Sequence, residues 1–403
     1  MTPSITINNT IVEPNSVNWF AVFPLFMGVT SLITSEFIPI CLLTPIAQEL
    51  HVSEGVAGQT ITAVGILAVI TSIFISPLTK SINRKLVLIS FSILLIISNI
   101  KIAFAPNYLV MLLARGILGI CVGGFWSMAT AITLQLAPAK DIARALAIVY
   151  AGVSVATIIA LPISSYLDNL IGWRNVFLVV ALIGFLALVN QVLALPHLVP
   201  QPDNNFQGMI SLLKTSWVSV GILATIFSYS GYHLFFSYLR PFLQVDLKLT
   251  PANLTITLLI FGLANCLGTY LAGYLMSHLF KSIMLSVHLL LAFTAFMLLL
   301  CDNKEVLENI VLIISWGSLF GFIPVGWSTW ISKTLPNKAE LIGGLLVASI
   351  QFSISMAAAM GGMLLNYWGI NYIFVAASGV LLLACLLIMM SFSIYKKMAG
   401  ISL

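Results

Sequence analysis

Apolar runs of about twenty residues recur from one end of this chain to the other, and this recurrence restricts the fold more than any single motif does. A helix needs roughly 20 apolar residues to cross a hydrocarbon core about 30 Å thick. Twelve such spans are expected, near 18–46, 56–78, 86–105, 108–136, 143–167, 175–195, 217–245, 253–279, 282–300, 307–334, 339–366 and 372–393. Only 7% of residues are charged and the mean hydropathy is +1.09, so the lipid bilayer is the chain's solvent. The links are short, which leaves no room outside the membrane for a soluble catalytic domain.

The side of each link follows from its Lys and Arg content. An even number of spans puts both termini on one side. The links there carry Lys80, Arg84, Lys85, Lys140, Arg144, Lys214, Lys281, Lys333 and Lys338, and the tail adds Lys396 and Lys397. The opposite links hold only Arg174, Lys248 and Lys304. Both termini are therefore expected in the cytoplasm, and the net charge of +5 points to an anionic leaflet rather than to nucleic acid. No Lys or Arg precedes the first span, so no signal-peptide n-region is expected. The five cysteines (Cys41, Cys121, Cys266, Cys301, Cys385) show no metal or disulfide spacing.

A polar, Pro-rich stretch at 196–216 divides the chain in two. The expected organisation is a cytoplasmic tail (1–17), a six-helix bundle (18–195), a cytoplasmic loop (196–216), a second six-helix bundle (217–393) and a tail (394–403). The bundles echo one another. Gly119-x-x-x-Gly123 followed by Pro138 and Lys140 recurs as Gly317-x-x-x-Gly321 followed by Pro336 and Lys338. I-G-W-R-N-V-F at 171–177 recurs as W-G-I-N-Y-I-F at 368–374, and the Lys-bearing links after the second and eighth spans correspond. The shared offset implies a duplicated unit, an architecture that recurs among transporters. The Gly pairs are expected as helix-packing surfaces, and Trp173 and Arg174 as anchors at headgroup level.

This ordering resembles the major facilitator superfamily, in particular its drug:proton antiporter branch. The resemblance rests on T-S-E-F-I-P at 34–39, L-L-A-R-G-I-L-G at 112–119, the I-G-W-R-N-V-F turn and G-Y-H-L-F-F-S-Y-L-R-P-F-L at 231–243. More narrowly, L-L-T-P-I-A-Q-E-L-H-V-S-E-G-V-A-G-Q at 42–59, G-G-F-W-S-M at 123–128 and P-V-G-W-S-T-W-I at 324–331 are similar to the purine ribonucleoside efflux pumps. It implies an all-α membrane protein with twelve helices in two pseudo-symmetric bundles. The activity it implies is proton-coupled efflux by alternating access, with purine nucleosides as cargo; export of sugars or drugs is the alternative. No cofactor beyond the proton gradient is expected, and one chain in the cell (inner) membrane suffices as the working unit. The gating link after the second span departs from the family pattern: Ser76, Lys80 and Asn83 replace a glycine, an aspartate and a glycine, while the basic end, Arg84 and Lys85, remains. Around Pro162 the antiporter glycine pattern reads L-P-I-S-S.

Glu36 is an acid inside an apolar span, costing about 2.5–3.5 kcal/mol at the bilayer centre on insertion scales. Such a group is a functional-site candidate. Arg115 on the fourth span lies at compatible depth and is always charged. The two are expected as a proton-coupling pair, the alternative being a fixed pair that orients helices. Helical spacing puts Arg115, Gly119, Val122 and Trp126 on one stripe, and Tyr229, His233, Phe236 and Arg240 on another. Aromatic faces with a few polar groups suit a planar ligand. Trp126, Tyr229, His233, Phe236, Arg240, Asn265, Trp327 and Gln351 are the candidate substrate contacts. The alternatives are core filling or interfacial belts for Trp330 and Tyr238, snorkelling for Arg240 and a structural role for His288. No catalytic constellation, metal cluster or G-x-x-x-x-G-K-[ST] loop occurs, which argues against an enzyme and against ATP as the energy source.

Overall fold

In the computed structural model, residues 17–52, 54–200, 205–301 and 305–399 are described. The N-terminal tail before Val17, the last four residues, Lys304 and the side chains of Cys41 and Pro162 lie outside that set. Helices carry nearly every described residue: α1 (Trp19–Cys41), α2 (Leu43–Glu49), α3 (Glu54–Leu78), α4 (Arg84–Ala103), α5 (Tyr108–Leu136), α6 (Ile142–Ile171), α7 (Trp173–Ala194), α8 (Phe206–Lys214), α9 (Ser216–Phe236), α10 (Leu239–Pro241), α11 (Pro251–Leu300), α12 (Val306–Thr334), α13 (Ala339–Trp368) and α14 (Ile370–Ala399).

Among the described residues, eleven helical segments are long and apolar enough to cross a membrane. One of them, α11, contains a non-helical residue, Leu279 (φ −127°, ψ 41°). It makes the eighth and ninth crossings, giving twelve, with both chain ends on one face, here called the terminal face. Two expected spans are subdivided. The first breaks at Leu42 (φ −104°, ψ 13°), three residues after Pro39, so that residues 43–49 form a separate helix. The seventh ends its regular helix at Phe236 and continues through α10 and a π-helical segment, Phe242–Asp246. The segment expected as loop, 196–216, contains α8, started by the Asn205 side chain, which accepts from the Gly208 amide at 2.7 Å.

The duplication appears as matched packing. In the first half a methyl group added at Gly119 would stand 2.9 Å from Leu67 Cβ, and one at Gly123 would stand 2.9 Å from Ala68 Cα. In the second half a methyl at Gly317 would stand 2.9 Å from the Phe261 carbonyl oxygen, and one at Gly321 would stand 2.8 Å from Thr269 Oγ1. The fourth crossing thus presses on the second as the tenth presses on the eighth, through glycines that let two backbones meet. Packing of this kind drives helix association where lipid removes the hydrophobic drive. The two glycine turns correspond as well: Gly172 (φ 77°) and Gly369 (φ 89°) occupy the left-handed region that favours glycine.

Trp173, at the start of α7, is turned into the protein. It is 4% exposed and packs with Ile38, Leu42, Ile46 and Phe177 in a small core under α2. Its indole Nε1 donates to Glu49 Oε2 at 2.5 Å, while Arg174 donates Nε to Glu49 Oε1 at 2.7 Å and stacks 4.4 Å over the Trp173 ring. The half-exposed carboxylate of Glu49 accepts from both residues and ties α2 to the start of α7.

Candidate functional site

The site takes shape around a defect in α1. Pro39 lies inside this helix and has no N–H, so the carbonyl four residues earlier, that of Ser35, loses its helical partner. Arg115, fully buried on α5, supplies the replacement: its Nη1 donates to Ser35 O at 2.8 Å and its Nη2 to Glu36 O at 3.1 Å. The Nε contact to Thr60 O, at 3.4 Å, joins α3 to the same guanidinium. Ser35 Oγ in turn donates to Asn99 Oδ1 at 2.9 Å, which fixes α4 against α1. Arg115 therefore holds the main chain at Glu36 rather than its carboxylate. Among the described residues the carboxyl group of Glu36, a half-buried residue, makes no hydrogen bond or ion pair, and it lies near the end of α1 remote from the terminal face.

On the second half, Tyr229 and His233 stack at 6.4 Å with 12° between planes, and His233 meets Phe236 edge-on at 5.7 Å. Phe320 of α12 contacts both Tyr229 (6.2 Å) and His233 (5.9 Å), and Phe261 of α11 stacks on Phe236 at 5.9 Å. Sequence reasoning did not single out Phe320 or Phe261. The internal repeat carried a signal for Phe320, since the offset that pairs Gly119 with Gly317 pairs it with Val122, a member of the α5 stripe. Arg240 lies beyond the end of α9, exposed, so the break removes it from the stripe that groups Tyr229, His233 and Phe236.

Two polar pairs cross between the halves beneath this wall. Ser154 on α6 donates to Asn265 Oδ1 at 2.8 Å, while Asn265 Nδ2 donates to Gly317 O at 3.1 Å. One turn closer to the terminal face, Tyr150 and Ser328 share a 2.8 Å hydrogen bond, and Trp126 stacks on Tyr150 at 5.0 Å with 16° between planes. Trp327 is 2% exposed and donates Nε1 to Ser228 Oγ at 3.3 Å, which puts it in the core behind the wall. Ser228 also bonds His288 Nε2 at 2.6 Å, with His288 Nδ1 at 2.7 Å from Met284 O, a packing role. Gln351 is half-buried on α13. Trp330, considered as a belt residue, is fully buried against Gly221 instead.

Below, the halves are locked. Arg84 is fully buried and makes a bidentate pair with Glu340 of α13, Nε to Oε1 and Nη2 to Oε2 both at 2.6 Å. Ser76 adds a hydroxyl to Glu340 Oε2 at 3.2 Å, so the residue that departs from the family pattern serves the lock. Lys85 donates instead to the carbonyls of Val192 and Leu195, at 2.8 and 2.7 Å, ending α7 within its own half. Lys80 is exposed. Sequence reasoning passed over Glu340, a residue that looks like an ordinary first-turn acid. The repeat held a hint, because Pro138-x-Lys140-Asp141 is echoed by Pro336-x-Lys338-x-Glu340.

Two six-helix halves, sealed at the terminal face and enclosing a polar and aromatic centre, define a membrane transporter. The sequence model described as the Major Facilitator Superfamily matches residues 19–345, and the chain belongs to that family. It is 38% identical over 371 residues to the purine ribonucleoside efflux pump NepI of Salmonella paratyphi B (strain ATCC BAA-1250 / SPB7), covering 92% of this chain and 93% of that one. The pump of the same name from Salmonella enteritidis PT4 (strain P125109) is 38% identical over 353 residues, 88% of this chain and 89% of the relative. Among solved structures, the human organic anion transporter MFSD10 (TETRAN) superposes with a TM-score of 0.75 over 92% of this chain and 99% of that chain, at 14% identity. The proton:xylose symporter XylE bound to 6-bromo-6-deoxy-D-glucose gives 0.77 over 91% and 94%, also at 14%. At that identity the two structures speak for the fold alone.

Proposed function

We propose that this transporter exports purine nucleosides in exchange for protons. The supporting observation is the unpaired carboxyl group of Glu36, held in a proline-broken turn by a guanidinium bound to main-chain carbonyls, in a chain whose relatives are named as purine ribonucleoside efflux pumps. The guanidinium keeps its charge when it bonds neutral carbonyls and still acts on the carboxyl group across space, but no ion pair fixes that group, so it can exchange a proton as its access changes. The aromatic wall of Tyr229, His233, Phe236 and Phe320 offers ring faces to a purine. Ser154 and Asn265, joined across the halves, would be parted as the site opens toward the terminal face.

The Lys and Arg excess makes the terminal face cytoplasmic. With that face sealed by Arg84 and Glu340, the conformation is one closed to the cytoplasm, as the carrier must be when a proton enters from outside. One chain, without a cofactor, completes the cycle in the cell membrane. The test is efflux of labelled inosine from vesicles of known orientation under an imposed pH gradient. Gradient-driven movement of inosine supports the reading; movement of a sugar or a cationic dye but not of inosine replaces the cargo and leaves the coupling.

A further inference from the structure

The chain between the halves is built into the lock. After α7, the segment 195–199 is tied down on the first half: the Arg84 amide donates to Leu198 O at 3.2 Å and the Leu198 amide to Asn83 Oδ1 at 3.2 Å. Gln135 closes a two-way pair with Val199, Nε2 to its carbonyl at 3.1 Å and Oε1 from its amide at 2.8 Å. Asn83 also caps α4 through the Lys85 amide, 2.9 Å away. The strap therefore begins on the residues that position the Arg84 guanidinium.

Farther along, α8 lies over the seam. Its Phe206 ring meets Phe74 of α3, in the first half, at 5.4 Å and 65°. Three residues on, Met209 is 4% exposed and its terminal methyl reaches α13, in the second half, 3.9 Å from where a methyl on Gly344 would stand. Leu212, again three residues on, is 3% exposed on the same face. Gly344 itself packs against the Ser72 carbonyl of α3, so Met209 covers a point where the backbones of the two halves meet.

We infer that α8 is a clasp that stabilises the conformation sealed at the terminal face, through Phe206 on α3 and Met209 on α13. Because α8 runs directly into α9 of the second half, it stays with α13 when α3 and α13 part, so the Phe206 contact to Phe74 belongs to the sealed state alone. A contact made in one of two states shifts the balance between them by its own free energy. The inference rests on the alternating-access reading and not on the identity of the cargo.

The test places spin labels at Lys140 and Asn337, exposed positions on the two halves near the terminal face, in a full-length chain lacking its native cysteines. Phe206→Ala, at an exposed position whose loss leaves the fold intact, is expected to lower the ratio of short to long label separations several-fold. Met209→Ala, which loosens the seat of α8 on α13, is expected to move the ratio the same way, and Met209→Leu to restore it. Unchanged separations in Met209→Ala and Phe206→Ala, in a chain whose labels do move apart on addition of inosine or a change of pH, overturn the clasp. Labels that never separate under any of these conditions overturn alternating access itself, and the clasp with it.

Discussion

The carbonyl oxygen of Ser35 lies 2.8 Å from Nη1 of Arg115, and the proline four residues after Ser35 is what makes it available. A helical carbonyl without a partner in lipid costs about 1–3 kcal/mol on protein scales. Arg115→Lys keeps a charge but gives up the planar fork that serves two carbonyls at once. It is expected to lower the melting temperature in detergent and to slow transport more than tenfold. Pro39→Ala returns an N–H to the helix, so adding it to Arg115→Lys should recover part of the lost stability. A coupling energy near zero in this double-mutant cycle would separate the proline from the arginine.

The lock between Arg84 and Glu340 makes a different prediction, because both charges are fully buried. Removing one partner leaves the other uncompensated, at a cost of about 3–5 kcal/mol. Glu340→Gln and Arg84→Gln should each destabilise strongly, and each should raise the labelling rate of a cysteine placed at the terminal end of the seam. Replacing both, Arg84→Met with Glu340→Leu, should restore much of the stability but not the seal against labelling. Equal sealing in that double variant would make the pair a packing element rather than a gate.

At the opposite end, Glu49 is held below its ordinary value of 4.5 chiefly by its hydrogen bond from Arg174, with the Trp173 indole adding to the effect. A carboxylate with a lowered folded-state pKa contributes stability that is complete above the unfolded value and is lost as pH falls through the folded one. Melting temperature should therefore be insensitive to this group near neutral pH and should decline below about pH 4.5. Glu49→Gln should remove that part of the acid slope while lowering stability at pH 7. The residue is half-exposed, so the effect should be small and should weaken in high salt.

How much of this was legible in the sequence depends on the range of the interaction involved. Crossing number, duplication and the packing role of the glycine pairs follow from local spacing, since the hydrocarbon thickness and the helical rise fix them. Glu36 stood out because an acid in an apolar run has few innocent explanations. Its relation to Arg115 is harder to read: depth and opposite charge bring the two into electrostatic range, but only the break at Pro39 shows that the hydrogen bonds of the guanidinium go to main-chain carbonyls. Glu340 was invisible for the opposite reason. At the start of a helix an acid is ordinary, and only the approach of Arg84 from 256 residues away makes it a lock. Trp173, Trp327 and Trp330 show the same limit, because composition cannot tell a tryptophan in an interfacial belt from one turned inward to a buried partner.

The sharpest functional prediction concerns the carboxyl group of Glu36. In an antiporter the proton and the cargo use the carrier in turn, so a permanently neutral side chain should uncouple one from the other. Glu36→Gln matches the protonated form in shape and charge, and Arg115 can still grip the Ser35 and Glu36 carbonyls, which belong to the main chain. The variant should fold normally. Exchange of labelled for unlabelled inosine, which needs no net proton movement, should persist at a rate within a few-fold of the parent. Accumulation against a gradient should vanish, and the rate should lose its dependence on pH between about 6 and 8, the range in which a coupling group must titrate. If the Glu36→Gln variant still drives inosine uphill under a pH gradient, the proton is carried elsewhere. His233, half-buried beside Tyr229 and Phe320, would then be the first group to test, by His233→Gln with the same two assays.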